Sequence, residues 1–158
     1  GACGVITNLT KEDMPYTLIV EPNESACYYK SAEVADGERH FVTGDLDTIM
    51  AGLACGEPGT IAWDVIGEYS DAYIKGPDWA TANGMRMYAN PVENDPSIVS
   101  GESGAVSLGY LNELMTNDGL TDAREKMGLD ENPVVLLIST EGDTDKANYK
   151  DVFWNGKY

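Results

Sequence analysis

An α/β fold, a mostly parallel sheet flanked by helices, is the class this sequence predicts, on two observations. Short apolar strands and amphipathic helices alternate along the chain, the pattern by which βα units build a parallel sheet. Residues 134–138, Val134-Val135-Leu136-Leu137-Ile138, are apolar without a break, which reads as a strand buried on both faces. The chain is read as one α/β unit over residues 1–158, long enough for a single core.

The elements follow in order. Residues 1–9 are small and apolar, as though a helix were already under way, and the first clear strand, 16–21, is closed by Pro22. Asn23 is a suitable N-cap for a helix over 24–34. Residues 40–43 read as a second strand, and Asp47 opens a helical turn through Ala54, stopped by Gly56 and Pro58. Over 59–69, Ile61, Ala62, Val65, Ile66 and Tyr69 form the buried stripe of a helix. Residues 71–75 are a short strand, broken by Gly76-Pro77, and Asp78 starts a helix that continues towards Asn90. Residues 91–96 are a loop and 97–100 an extended segment. A helix over 105–115 presents Leu108, Leu111 and Met115 to one side. A short helix covers 121–127, the strand 134–138 follows, and Asp145 opens the final helix, to about Phe153.

The chemistry gathers at the junctions. Ser139-Thr140-Glu141-Gly142-Asp143-Thr144-Asp145 follows directly on the apolar run, at the strand end where open α/β sheets bind ligands. The same residues suit a helix cap, and both readings stand. In Thr48-Ile49-Met50-Ala51-Gly52-Leu53-Ala54-Cys55-Gly56-Glu57-Pro58 the glycines allow close backbone approach or merely end a short core helix. Ser100-Gly101-Glu102-Ser103-Gly104-Ala105-Val106 sets small residues around one acid before a helix. It fits neither a phosphate loop nor a GxGxxG pattern, and its serine misses nucleophile-elbow spacing. Glu21-Pro22 is a strand terminator by the plainer reading.

Composition narrows the partners. Net charge is −17 and pI about 4.1, so nucleic acid and anionic membrane are poor partners. No apolar run is long enough to span a bilayer and no signal peptide is read, so the cytoplasm is the expected compartment. Cys3, Cys27 and Cys55 contain no CxxC pair, and with His40 as the single histidine no metal site is expected. The thiols are either free or paired as Cys27–Cys55. Lys30 and Lys75 read as surface lysines. Asp118, Asp122, Glu125, Asp130 and Glu131 read as a solvated face, and Trp63, Trp79 and Trp154 as core or interface fillers.

Taken in order, Ile19-Val20-Glu21-Pro22, Ala26-Cys27, the 48–58 run, Ser100-Gly101-Glu102-Ser103-Gly104-Ala105-Val106 and the 139–145 run resemble the C-terminal part of the diaminopropionate ammonia-lyase family. That family has fold type II of the pyridoxal-phosphate enzymes, with tryptophan synthase β and threonine dehydratase. The resemblance implies part of the large domain of such an enzyme, a piece of a larger protein. It implies α,β-elimination of a small amino acid, 2,3-diaminopropionate, to pyruvate and ammonia, with pyridoxal 5'-phosphate as electron sink carried on a lysine. That lysine, its acidic partner and the phosphate loop lie N-terminal to everything in this chain, so no catalytic residue is assigned here, and the isolated chain is expected to lack cofactor and activity. The resemblance implies cofactor-side roles for Ser139 or Thr140 at the pyridine nitrogen and for Glu102 near the ring. Gly52 and Leu53 would line the substrate side. Glu141, Asp143 and Asp145 would orient the loop or cap the helix, and Cys27 and Cys55 would be near each other. It also implies a homodimer for the whole enzyme. Two alternatives remain: another fold type II lyase, such as a threonine or serine dehydratase, and a non-catalytic acidic α/β ligand-binding module.

Overall fold

The structure, a computed structural model, describes Gly4, Asn8 and residues 14–158. The reading of 1–9 as a helix, and Cys3, lie outside the described residues. The class is α/β. The described elements are β1 (Leu18–Pro22), α1 (Cys27–Val34), α2 (Thr60–Tyr69), β2 (Ala72–Gly76), α3 (Asp78–Ala89), α4 (Glu102–Thr116), α5 (Thr121–Lys126) and α6 (Lys146–Phe153), with 3-10 turns at Asn23–Ser25, Ala51–Leu53 and Asp118–Leu120. The chain divides into two compact units, Gly1–Thr48 with Leu53–Lys75, and Ile49–Gly52 with Gly76–Tyr158.

In the first unit β1 pairs with β2. The amides of Asp71 and Ala72 donate to the Thr17 carbonyl at 2.9 and 3.3 Å, so the two strands meet start to start and run parallel, with α1 and α2 in the connection between them. Trp63 fills the interior, its indole N–H donating to the Gly37 carbonyl at 3.0 Å and its ring lying 6.3 and 6.5 Å from those of Tyr28 and Tyr73. It displaces part of the expected stripe: Ile61 is 83% exposed, because α2 turns the Trp63 face inward.

The second unit is a helical layer. Ala82, Met85, Ala105 and Val152 are fully buried together, with Ile49, Tyr88 and Tyr149 against them. The α3–α4 crossing is set by bare backbone. A methyl on Gly84 would fall within the Ala105 carbonyl and 2.7 Å from the Gly109 amide, and one on Gly109 would fall within the Ala80 carbonyl. The buried face of α4 is Ala105, Val106, Gly109, Tyr110 and Leu114; Leu108, Leu111 and Met115 are half-buried flanks. Arginines take up carbonyls at and beyond helix C-termini, where free carbonyls favour a cation. Arg124 donates to the carbonyls of Leu114 and Met115 at 3.1 and 3.0 Å, and Arg86 to those of Val152, Lys157 and Tyr158.

Three expectations need correction. Residues 134–138 form no paired strand: Val134 is 103%, Leu136 84% and Ile138 53% exposed. A strand buried on both faces needs neighbours along both edges, and the described residues supply none for it. Residues 40–43 are extended but unpaired as a strand, with the Val42 amide donating to the Gly56 carbonyl at 2.8 Å. Residues 47–54 hold only the 3-10 turn Ala51–Leu53, because the amides of Ile49 and Gly52 are drawn to Asp78 and Ser103 rather than to a helix ladder. Of the tryptophans read as core or interface fillers, Trp63 is in the core, and Trp79 at 45% and Trp154 at 75% exposed leave the interface half of that reading.

The α3–α4 contact leaves no room for added volume. Gly109→Ala is expected to cost about 1–3 kcal/mol or more by forcing the helices apart, read as a drop in thermal midpoint, whereas Gly142→Ala, whose site meets nothing within 4 Å, should cost less.

Candidate functional site

The second unit gathers its polar groups at the start of α4. Gly101, the residue before the helix, donates its amide to the Glu141 carbonyl at 3.0 Å. The Ser103 amide, unpaired within the helix because it lies in the first turn, donates to the Glu141 carboxylate at 2.8 Å, and the other oxygen of that carboxylate accepts from the Thr144 hydroxyl at 3.0 Å. Glu141 thus ties the 139–145 loop to the helix start, where a negative charge is favoured by the helix dipole.

The same helix start holds two further segments. The Gly52 amide donates to the Ser103 hydroxyl at 3.0 Å. The Ile49 amide donates to Asp78 at 3.1 Å, and the Thr81 hydroxyl lies 3.1 Å from the Met50 sulfur. Residues 49–52 are therefore strapped across α3 and α4. Ser100, fully buried, shares a hydrogen bond with Ser139 at 2.9 Å. Thr140 is exposed beside it. Glu102 is 4% exposed, and its carboxylate accepts from the Asn148 side-chain amide. Asp145 caps α6, accepting from the amides of Ala147 and Asn148 at 3.1 and 3.0 Å.

Gly52, Glu102 and Ser139 thus meet at the 100–103 segment, where Ser103 holds Gly52, Ser100 holds Ser139 and Glu102 lies between them, although 87 positions separate Gly52 from Ser139 in the numbering. Leu53 lies in the first unit, where its carbonyl accepts from the buried Ser25 hydroxyl at 2.8 Å. At Gly104 the network has a bare floor: a methyl there would meet the hydroxyls of Ser100 and Ser139 at 2.8 Å each and the Glu141 carbonyl at 2.9 Å. Ser139 is exposed, and its hydroxyl is a neutral group able to donate to or accept from a heteroaromatic nitrogen. Among the described residues no group of three or more His, Cys, Asp or Glu side chains is placed to hold a metal ion, and no helix is long and apolar enough to cross a membrane.

The first unit buries a second carboxylate. Glu21, 6% exposed, accepts from the Tyr28 and Tyr29 amides at 3.0 and 2.7 Å and from the Cys27 thiol at 3.7 Å. It supplies the cap of α1 expected of Asn23, which lies instead in the preceding 3-10 turn. Burial raises the Glu21 carboxyl above its usual range, against the lowering effect of these donors. Burial first, then the charge of Glu21 and the neighbouring Cys55, pushes the Cys27 thiol up to about 12. Cys27 is buried and Cys55 exposed, and both are free thiols. His40 pairs with Asp36 at 3.0 Å, Lys30 donates to the Phe41 carbonyl at 2.7 Å, and Lys75 lies 4.5 Å above the Tyr29 ring. These three sit in the first unit, outside the α4 network.

Sequence reasoning misses two of these contacts. Asn148 has no sequence signal pairing it with Glu102, 46 residues away. Asp78 is legible only as a helix starter, although its carboxylate also holds the Ile49 amide.

No family model matches the chain. The diaminopropionate ammonia-lyase of Salmonella typhimurium is 45% identical over 155 residues, 98% of this chain and 38% of that protein. That of Escherichia coli K12 is 42% identical over 158 residues, covering all of this chain and 39% of that protein. The crystal structure of the Escherichia coli enzyme in complex with an aminoacrylate-PLP azomethine reaction intermediate superposes with a TM-score of 0.79 at 43% identity, over 90% of this chain and 35% of that one. The processed form of threonine deaminase isoform 2 from Solanum lycopersicum shares the fold alone, at 18% identity and a TM-score of 0.64, over 87% of this chain and 35% of that one. The chain spans about two-fifths of the length of the curated relatives it matches.

Two outcomes follow from the Glu21 cluster. Iodoacetamide at neutral pH should label Cys55 in the folded protein and spare Cys27, since only a thiolate reacts and Cys27 is held protonated; peptide mass spectrometry reads the two sites, and equal native labelling would contradict the buried assignment. Because the folded-state value of Glu21 lies above that of the unfolded chain, its contribution to stability is full below the ordinary carboxylate range and is lost as pH rises through the elevated value. Denaturant unfolding of the parent and Glu21→Gln from about pH 4 to about pH 8 should therefore show the parent losing ground to the variant as pH rises.

Proposed function

Because the chain is a homologue of diaminopropionate ammonia-lyase along its whole length, we propose that it is part of a pyridoxal-phosphate-dependent carbon–nitrogen lyase. The reaction is α,β-elimination of 2,3-diaminopropionate to pyruvate and ammonia, in the cytoplasm and in a homodimer of the longer protein. Pyridoxal phosphate, when bound, supplies the electron sink for the pair left at the substrate Cα. The residues of this chain bind that group and orient it.

Ser139 is the residue for the pyridine nitrogen. Its hydroxyl is held by Ser100 at 2.9 Å, and the residue is exposed, so a second partner can reach it. A hydroxyl there hydrogen-bonds the nitrogen without protonating it as a carboxylic acid would, a choice that limits electron withdrawal into the ring and suits elimination over transamination. Thr140, exposed at the next position, is the second hydroxyl of that loop. Glu102 faces the ring with its carboxylate. Gly52, pinned by Ser103, bounds the substrate side. None of these residues removes or delivers the substrate proton, so the chain contributes the binding wall and no catalytic base. A Schiff-base lysine belongs to the part of the longer protein that this chain does not span, and Lys30 and Lys75, held by Phe41 and Tyr29, are not promoted to that role.

The observation that carries the reading is 45% identity maintained along 98% of the chain, with Gly52, Glu102 and Ser139 meeting at the 100–103 segment. Two experiments test it. This chain, incubated with pyridoxal phosphate and borohydride, should give no stable adduct on a single lysine, whereas a chain extended N-terminally to the relatives' length should give one. The extended protein should release pyruvate from 2,3-diaminopropionate, read with lactate dehydrogenase and NADH. An adduct at one lysine of this chain alone would overturn its assignment as a binding wall. Faster pyruvate formation from serine or threonine would transfer the protein to the dehydratases.

A further inference from the structure

Glu102 is held by one side-chain donor, and that donor comes from a different helix. The cap of α4 does not require it: the Ser103 amide is taken by Glu141 at 2.8 Å and the Ala105 amide by the Gly101 carbonyl at 2.9 Å. A carboxylate buried to 4% exposure is costly to keep out of water unless it is hydrogen-bonded, and here a single side-chain donor meets it. Asn148 supplies that orientation, donating to one carboxylate oxygen, Oε1. Asn148 is itself fixed by Asp145, whose carboxylate accepts its backbone amide at 3.0 Å and that of Ala147 at 3.1 Å. Among the described residues, the donor contact to Glu102 is on Oε1 alone, which leaves Oε2 for whatever lies beside it.

We propose that Asn148 is a positioning residue: from the first turn of α6 it holds the Glu102 carboxylate in the one rotamer that presents its second oxygen to the pyridoxal ring. This deepens the functional reading above and rests on it. Asp145 acts one step further out, since its cap sets where the Asn148 side chain points. The arrangement explains why the acids of the 139–145 loop are divided in role, Glu141 to the start of α4 and Asp145 to the start of α6.

The test uses the N-terminally extended, cofactor-loaded protein. Asn148→Asp keeps the shape but sets an acceptor against an acceptor, and Asn148→Ala removes the donor outright. Both should lower kcat by about tenfold or more, as loss of an orienting contact at a reacting centre does, with KM changed much less. Both should also weaken pyridoxal-phosphate affinity, read by titrating the visible absorbance. The double variant Asn148→Asp with Glu102→Gln restores a hydrogen bond of reversed polarity. A purely structural role for Asn148 requires the double variant to recover kcat, and such recovery would overturn the proposal. So would single variants within about twofold of the parent in both kcat and cofactor affinity. If the parent binds the cofactor but is silent toward 2,3-diaminopropionate, the substrate reading fails while the titration still decides the role of Asn148. A parent that does not bind the cofactor overturns both.

Discussion

Glu141 takes the Gly101 amide on its carbonyl and the Ser103 amide on its carboxylate, and most of the polar architecture of the second unit depends on that double grip. A helix begins with N–H groups that its own ladder cannot reach. In α4 a loop arriving from the far end of the sequence satisfies them, so the helix start becomes the meeting place of otherwise separate segments. Ser103, once its amide is committed, is free to turn its hydroxyl to the Gly52 amide. Ser100, one residue before the cap, turns its hydroxyl to Ser139. Without Glu141 the 139–145 loop would lose its tie to the helix, and Ser139 would lose the registration that sets it beside Ser100.

Close backbone approach is the second constraint. Helix α4 can reach α3 only because Gly84 and Gly109 bring main chain against main chain, and its start can admit the 139–145 loop only because Gly101 and Gly104 are bare. A methyl on Gly101 would run into the Gly142 carbonyl, with the Glu141 side chain 2.8 Å away. Glycine lowers helix propensity, yet three glycines, Gly104, Gly109 and the capping Gly101, serve this one helix. The cost to the isolated helix is offset by the packing and hydrogen bonds that the bare positions permit.

That conflict between local propensity and packing is why the sequence is only partly legible. Strands β1 and β2 and helices α2, α3, α5 and α6 carry their own local signals, apolar runs and terminators such as Pro22 and Gly76-Pro77, and these place them to within a few residues. Helix α4 starts three residues earlier than its pattern suggests, because Gly101-Glu102-Ser103-Gly104 looks like a loop until Glu141 is brought to it. The 47–54 segment looks helical until Asp78 and Ser103 claim its amides. The run 134–138 has the composition of a buried strand, but burial is supplied by neighbours and not by the run itself. Among the candidate site residues, the motifs point to Glu102, Gly52 and Ser139 individually; the hydrogen bonds that hold them span tens of residues and leave no periodic trace.

The two buried carboxylates show how the same group is put to different ends. Glu21 is surrounded on its donor side by backbone amides of the helix it caps and by the Cys27 thiol. Those donors come from fixed main chain and one buried thiol, both oxygens are engaged, and the carboxylate is consumed by the fold. Glu102 has a cap-free position, one donor, and that donor is a side chain, so one oxygen is held still and the other is left uncommitted. A carboxylate whose oxygens are all spent on the fold can stabilise a helix but can meet no ligand. A carboxylate held by a single side-chain amide is oriented and still has an oxygen to offer, and that difference, more than burial or charge, separates the role proposed for Glu102 from the structural one of Glu21.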